Sequence, residues 1–153
     1  MSPRYLEDYT AGELIISQPF KLSRSNLLSF AQFYDAQPIH IDANFASKSG
    51  PFDDIIASGF QTVAIAFKLF IDLGFCGGDV ALGGPGMDSV RWLTPVFPGD
   101  TLTNHINVAK IRKSNSKPDR GILSLNHDLK NQNNVTVLTF TTASMIRCRE
   151  TRP

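Results

Sequence analysis

A short segment near the start of the chain combines an acid, a proline and a histidine at a spacing that suits acid–base chemistry. In residues 34–42, which read YDAQPIHID, Asp35 lies five positions before His40. Pro38 disfavours a helix at Gln37, so we expect both side chains on a broken loop that can direct them at one point. A carboxylate and an imidazole that share a water molecule form a general acid–base pair near neutral pH. These residues alone leave open an alternative in which Asp35 caps a turn and His40 is a satisfied, partly buried histidine.

The remaining reactive side chains do not suggest a second site. His127 falls on the apolar face of its predicted strand, which favours a hydrogen-bonded histidine in the core or at a subunit interface. His105 falls on a polar face and is expected to be solvated. The three histidines lack metal-ligand spacing, so no metal is expected. Cys76 has no basic neighbour to stabilise a thiolate, and residues 83–86 (GGPG) match no phosphate-binding loop.

Two helices and one strand are expected around the acid–histidine segment. Residues 13–22 are mixed in polarity and are interpreted as a first strand. A helix capped by Ser23 or Ser25 follows, with apolar residues at i, i+3, i+4 and i+7. It ends near Asp35, and Asp42 caps a further short turn of helix.

The segment 58–73 predicts the main helix of the protein. Ten of the fourteen residues from Phe60 to Leu73 are apolar, and they are spread almost all round the helix. A helix of that kind is buried inside a domain rather than lying on its surface. Gly74 is the expected C-terminal cap, and a glycine-rich loop occupies residues 77–86.

The second half of the chain predicts four strands, at residues 87–93, 100–111, 121–130 and 135–146. The polar turn 131–134 pairs the last two as an antiparallel hairpin. With the first strand this gives about five antiparallel strands, and a sheet with one dry face can wrap and bury the long helix. The predicted fold class is α+β.

Composition restricts the possible functions. A chain of 153 residues with 42% hydrophobic and 19% charged residues is expected to form one globular domain over 1–153. A formal net charge of +1 argues against a dedicated nucleic-acid binder. The start of the sequence resembles no signal or transit peptide, no apolar run reaches 18 residues, and the two cysteines form no CxxC motif. We therefore expect a cytoplasmic protein with reduced thiols and no membrane span.

The segment around Asp35 resembles the hydratase motif of the MaoC-like dehydratases, the (R)-specific enoyl-CoA hydratases. The usual motif is an Asp, two variable residues, Pro, an aliphatic residue and His, with a second Asp two residues later. This sequence matches it, although Gln37 stands where Asn is commoner. The resemblance continues through Ala46, Phe52, residues 56–59 (IASG) and residues 91–100 (RWLTPVFPGD). It implies a hot-dog fold, in which an antiparallel sheet wraps a long helix, as the order of elements also predicts.

By resemblance, Asp35 and His40 hold and activate the water that adds to a trans-2-enoyl-CoA thioester, in fatty acid metabolism and without a cofactor. Backbone N–H groups near Gly59, at the positive start of the central helix, are expected to stabilise the developing enolate. Ser58 stands where many relatives have His. Phe67 and Phe70 stand where smaller residues line the acyl tunnel in relatives. If the two phenylalanines face that tunnel, the resemblance implies a short acyl chain or a redirected pocket. Each is otherwise explained by core packing.

The resemblance also implies assembly and leaves two other functions open. We expect a homodimer, or a dimer of dimers, because a single hot-dog sheet exposes an edge. The basic residues between positions 110 and 120 form a solvated loop or meet the phosphates of coenzyme A. The alternatives are an acyl-CoA thioesterase and a non-catalytic acyl-CoA-binding protein. The intact Asp35–His40 pair counts against both.

Overall fold

A computed structural model describes residues 2–149 and contains one antiparallel sheet with helices on its inner side. The strand order is β1-β4-β5-β6-β3, and β2 pairs with β4 beyond β1. The strands are β1 (Leu14–Ile16), β2 (Phe20–Lys21), β3 (Gly86–Trp92), β4 (Thr101–Lys113), β5 (Arg120–Lys130) and β6 (Thr136–Arg147). The helices are α1 (Arg24–Tyr34), α2 (Pro38–Ile41), α3 (Ala43–Lys48) and α4 (Gly59–Ile71), after a short 3₁₀ turn at Leu6–Asp8. This is the predicted α+β, hot-dog architecture.

The predicted C-terminal hairpin is confirmed. Strands β5 and β6 pair in antiparallel register from Arg120↔Arg147 to Lys130↔Thr136. The turn closes through the Asn131 N–H, which donates to the Val135 carbonyl at 3.0 Å. The expected apolar face of β5 is buried throughout, His127 included.

The predicted single strand over residues 13–22 is wrong. The structure divides it into β1 and β2, which both pair with β4. Three residues, 17–19, separate Ile16 from Phe20, whereas only two residues of β4 separate their pairing partners, His105 and Leu102. The hydrogen-bonded ladder is therefore interrupted. Pro19 has no N–H to donate and enforces the break.

The helix caps follow from residue type. Ser23 accepts a hydrogen bond from the Asn26 N–H at 3.1 Å, which places the start of α1 at the first of the two expected serines. The Asp42 carboxylate accepts from the N–H groups of Asn44 and Phe45 and starts α3. Pro38 occupies the first position of α2, where its fixed φ suits a helix, so His40 lies in a single helical turn rather than in the expected loop.

Helix α4 is only partly buried, which corrects the expectation of a helix enclosed all round. Residues such as Ala66, Leu69 and Phe70 pack against the sheet. Phe60, Phe67 and Ile71 lie on the open side and are 69%, 41% and 42% exposed. One sheet and α1 cover only part of a helix surface, so an apolar stripe stays open in a single chain.

The two ends of the described chain meet at one end of the sheet. The Arg149 guanidinium donates to the Asp8 carboxylate at 2.6 Å, and the Arg149 N–H donates to Glu7 at 3.0 Å. Leu6 is buried near Gly121, at the start of β5. This contact lies at the Lys113 end of β4, which is about 40 Å from the Thr101 end for a strand of thirteen residues.

Candidate active site

Asp35 and His40 come together across the break between α1 and α2. Asp35 is the residue at which α1 ends, and His40 lies in α2. The His40 Nε2 atom lies 3.4 Å from the Asp35 Oδ2 atom. The His40 side chain is 6% exposed and that of Asp35 is 15% exposed. The sequence prediction that the broken segment directs both groups at one point agrees with this geometry.

The tautomer of His40 is set by the backbone. Its Nδ1 atom lies 2.8 Å from the Ile56 carbonyl oxygen, which can only accept, so Nδ1 carries the proton of the neutral ring. Nε2 then presents a lone pair toward the carboxylate. Two hydrogen-bond acceptors therefore face each other at 3.4 Å, an arrangement that a molecule with two O–H groups, such as water, satisfies.

Both oxygens of Asp35 accept hydrogen bonds from neighbouring side chains. The Ser58 hydroxyl donates to Oδ2 at 2.6 Å, and the Gln37 amide donates to Oδ1 at 2.7 Å. The Ser58 bond, followed by the Gln37 bond, holds the pKa of Asp35 below its usual value, against the opposing effect of burial. The carboxylate is thus kept ionised at neutral pH.

Ser58 is fully buried and lies behind Asp35 rather than in the wall of the cavity. It occupies the N-cap position of α4, yet its side chain makes no capping bond because the hydroxyl is directed to Asp35. The first-turn N–H groups of α4, which begin at Gly59, are therefore left without a side-chain cap. They carry the partial positive charge of the helix start.

A cavity of about 390 Å³ opens onto the pair, and Gly59 and Phe60 are in its wall. Among residues 2–149, no lysine or arginine lines it. Apart from Asp35, Gln37, His40 and Thr94, the wall is apolar and aromatic, with Phe52, Ile56, Ala57, Trp92, Leu93, Pro95 and Val96. The arrangement suits an uncharged, apolar group next to an acid–base pair.

Phe67 and Phe70 are not in this cavity. They line a second one, of about 360 Å³, with Cys76, Gly83, Gly84, Gly86 and Met87. Phe70 is buried in the core and contacts the His127 ring edge-on at 6.0 Å, whereas Phe67 faces outward. Within one chain the structure therefore separates these two residues from Asp35 and His40.

The basic segment 110–120 is also distant, because it lies at the opposite end of β4 and β5 from the Thr94–Val96 wall. Arg120 pairs with Asp119 at 2.7 Å, and Lys113 lies 3.6 Å from Glu7.

The sequence reasoning missed two residues of the site. In the sequence Gln37 is only a departure from the motif, yet its amide holds Asp35. Trp92 is only one residue of the 91–100 segment, yet it lies over Gly59 in the cavity wall. A signal for Trp92 exists, because it is the only tryptophan in the sequence and it lies near the start of the 91–100 segment.

In residues 2–149 no group of three or more His, Cys, Asp or Glu side chains is placed to hold a metal ion. Across the same residues, none of the helices has the length and apolar character needed to cross a membrane.

Two relatives resemble this chain over most of its length. The chain is 37% identical to the uncharacterized protein YdeM of Bacillus subtilis over 132 residues, which are 86% of this chain and 91% of YdeM. It is 29% identical to mesaconyl-CoA hydratase of Cereibacter sphaeroides over 97% of this chain, but spans only 42% of that longer protein.

A solved structure agrees in fold over nearly the whole chain. The MaoC-like dehydratase from Rhodospirillum rubrum superposes with a TM-score of 0.87 at 31% identity, covering 96% of this chain and 99% of that one. The family model described as the MaoC like domain matches residues 9–129, which include Asp35, His40 and Gly59. The chain therefore belongs to the MaoC-like dehydratase family.

Proposed function

We propose that this protein is a hydro-lyase that adds water to trans-2-enoyl-CoA thioesters, or removes it from (R)-3-hydroxyacyl-CoA. The observation that carries the proposal is the facing pair of acceptors, Asp35 Oδ2 and His40 Nε2, in a cavity next to the uncapped start of α4. Family membership and the relative that is a mesaconyl-CoA hydratase support the same reaction type.

The pair can bind and activate one water molecule. Water would donate one hydrogen to the Asp35 carboxylate and the other to His40 Nε2, which leaves an oxygen lone pair for the β-carbon. As the C–O bond forms, a water proton passes to His40, and the electrons of the C=C bond move toward the thioester oxygen. The resulting enolate then takes a proton at the α-carbon from the same pair. The two additions occur on one face, the syn course that is typical of the family.

The negative charge on the thioester oxygen needs donors where it develops. The free N–H groups at the start of α4 are suited to this task because Ser58 does not cap them. Their closeness to the acid–base pair allows both ends of the enoyl unit to be engaged in the same cavity.

The decisive experiment is incubation of the purified protein with crotonyl-CoA. We expect loss of the enoyl absorbance and formation of (R)-3-hydroxybutyryl-CoA, identified by chiral analysis. Release of free coenzyme A from butyryl-CoA without hydration would instead favour the thioesterase alternative. Binding of both thioesters without turnover would favour the non-catalytic one.

Assembly as a two-fold homodimer, or as a dimer of dimers, belongs to the same proposal. Strand β3 is a free edge of the sheet, and such edges recruit partners. Its Trp92 end borders the Asp35 cavity, and its Gly86 end borders the cavity of Phe67 and Phe70. Antiparallel pairing of two β3 strands would bring the second cavity of one chain to the site of the other, where it could receive the acyl tail.

Light scattering at micromolar concentration measures the assembly directly. We expect at least twice the mass of 16.9 kDa. An active monomer would contradict this part of the proposal.

A further inference from the structure

The indole of Trp92 contacts the first peptide of α4 in two ways. Its Nε1–H donates to the Gly59 carbonyl oxygen at 3.0 Å. Its ring lies directly over the Gly59 α-carbon, since a Cβ built on Gly59 would be 2.6 Å from Trp92 Cε2. Gly59 is therefore required to be glycine by the tryptophan, because any side chain would collide with the ring.

The Gly59 carbonyl accepts from a second side chain. The Thr62 hydroxyl donates to the same oxygen at 2.7 Å. Two side-chain donors on one carbonyl fix the plane of its peptide. They also polarise the N–H at the other end of that peptide, which belongs to Phe60, because hydrogen bonds in series strengthen one another.

The Phe60 N–H is in the first turn of α4, where helical N–H groups have no partner within the helix. The N-cap side chain does not supply one, because Ser58 donates to Asp35. Gly59, Phe60 and Trp92 share the cavity with Asp35 and His40.

We propose that Trp92 is a positioning residue for this site. It holds the Gly59–Phe60 peptide so that the Phe60 N–H donates to the thioester oxygen as the enolate forms. The inference rests on the proposed function and adds to it the residue that orients the donor.

Packing within one chain does not account for Trp92. It is 52% exposed, and its nearest aromatic neighbour, Phe60, is 69% exposed at a ring distance of 6.2 Å. An indole with half its surface in solvent contributes little burial to the core, whereas its hydrogen bond and its position over Gly59 are specific.

The test is Trp92→Phe, which keeps an aromatic ring over Gly59 and removes only the N–H donor. We expect kcat for crotonyl-CoA to fall about 10-fold, less than the loss of an entire oxyanion donor. KM and the thermal midpoint should stay near the wild-type values, because the effect is confined to the transition state. Phe33→Leu, which changes an exposed aromatic residue on α1 outside the cavity wall, is the matched control and should keep wild-type kcat.

A second pair of variants tests the same carbonyl without touching Trp92. Thr62→Val keeps the shape of the side chain but removes its hydroxyl, whereas Thr62→Ser keeps the hydroxyl. Only the valine variant should therefore have a lower kcat. A Trp92→Phe enzyme within twofold of wild-type kcat, or equal rates for the two Thr62 variants, would overturn the inference and leave the proposed function intact. A wild-type protein that hydrates no enoyl-CoA would overturn both.

Discussion

The two buried histidines of this protein have opposite hydrogen-bonding arrangements. His127 has both ring nitrogens satisfied, since the Asn104 amide lies 3.0 Å from Nδ1 and the Thr142 hydroxyl 3.0 Å from Nε2. The Asn104 amide nitrogen also donates to the Ala66 carbonyl, so it is a donor to His127, whose own proton is on Nε2. His40 carries its proton on Nδ1 and presents Nε2 to a carboxylate and a cavity.

The surroundings explain the different roles that we assign. His127 stacks on Phe140 with a ring distance of 4.3 Å, and burial lowers its pKa from 6.5 to about 4. It is a neutral structural group in the core. His40 is also buried, but the lone pair on its Nε2 atom borders the site. Burial alone therefore does not distinguish the two histidines, whereas the partner of the second ring nitrogen does.

The largest effect is expected at the acid–base pair. Asp35→Asn and His40→Gln should each lower the rate of crotonyl-CoA hydration by roughly 10²–10⁴-fold. The double variant should be little worse than either single one, because both groups act on one water molecule. Steady-state rates compared with thermal midpoints measure this. Near-native turnover by a folded variant would contradict the catalytic assignment and favour the acyl-CoA-binding alternative.

His127→Ala should show the opposite pattern. It removes two buried hydrogen bonds and a stacked ring, so we expect a loss of about 2–4 kcal/mol in the free energy of unfolding. The kcat of the folded protein should stay within about twofold of wild type. Urea unfolding and activity of the same sample provide both values. A large loss of kcat without loss of stability would break the distinction between the two histidines.

The lowered pKa of His127 also predicts a pH dependence of stability. The unfolded chain binds a proton near pH 6.5, whereas the folded one resists it until about pH 4. The contribution of His127 is therefore present in full above pH 6.5 and is lost as the pH falls toward 4, by on the order of 3 kcal/mol. The free energy of unfolding, measured at several pH values across this range, should change less with pH for His127→Ala than for wild type.

Ser58→Ala should have a smaller effect that appears mainly in the pH profile. Its hydrogen bond is the largest cause of the lowered pKa of Asp35, so its loss raises that pKa. The acidic limb of kcat/KM should move to higher pH, while the rate at neutral pH falls by less than about 10-fold. Ser47→Ala, which removes an exposed hydroxyl bonded to Ala43, is the matched control. An unmoved acidic limb would show that Ser58 does not act through Asp35.

The smallest expected change concerns Phe67, which packs near Phe70 on the His127 side of the molecule. If the second cavity receives the acyl tail in a dimer, Phe67→Ala should improve kcat/KM for longer enoyl chains relative to crotonyl-CoA. Rates across a series of chain lengths measure this. Equal losses on short and long substrates would assign Phe67 to packing alone.

The elements with a clear period could be predicted from the sequence. The β5–β6 hairpin, the Ser23 and Asp42 caps and the extent of α4 depend on local spacing and residue type. The motif likewise pointed to Asp35 and His40. The open face of α4 could not be foreseen, because composition indicates which residues avoid water but not which neighbours one chain supplies.

The supporting residues of the site were beyond sequence reasoning for a similar reason. Trp92 and Gly59 are 33 positions apart, and Ser58 and Asp35 are 23 apart. No local pattern encodes such contacts, which exist only after the sheet and α4 have packed. The Ser58 hydroxyl donates to Asp35 instead of accepting from an N–H group of its own helix, and only the fold decides between these two arrangements.

The meeting of residues near both ends of the described chain, through Asp8 and Arg149, has a practical consequence. Both residues lie near the Lys113 end of the sheet, far from the cavity of Asp35. Immobilisation of the protein at this end of the sheet should therefore leave the mouth of the site facing solution.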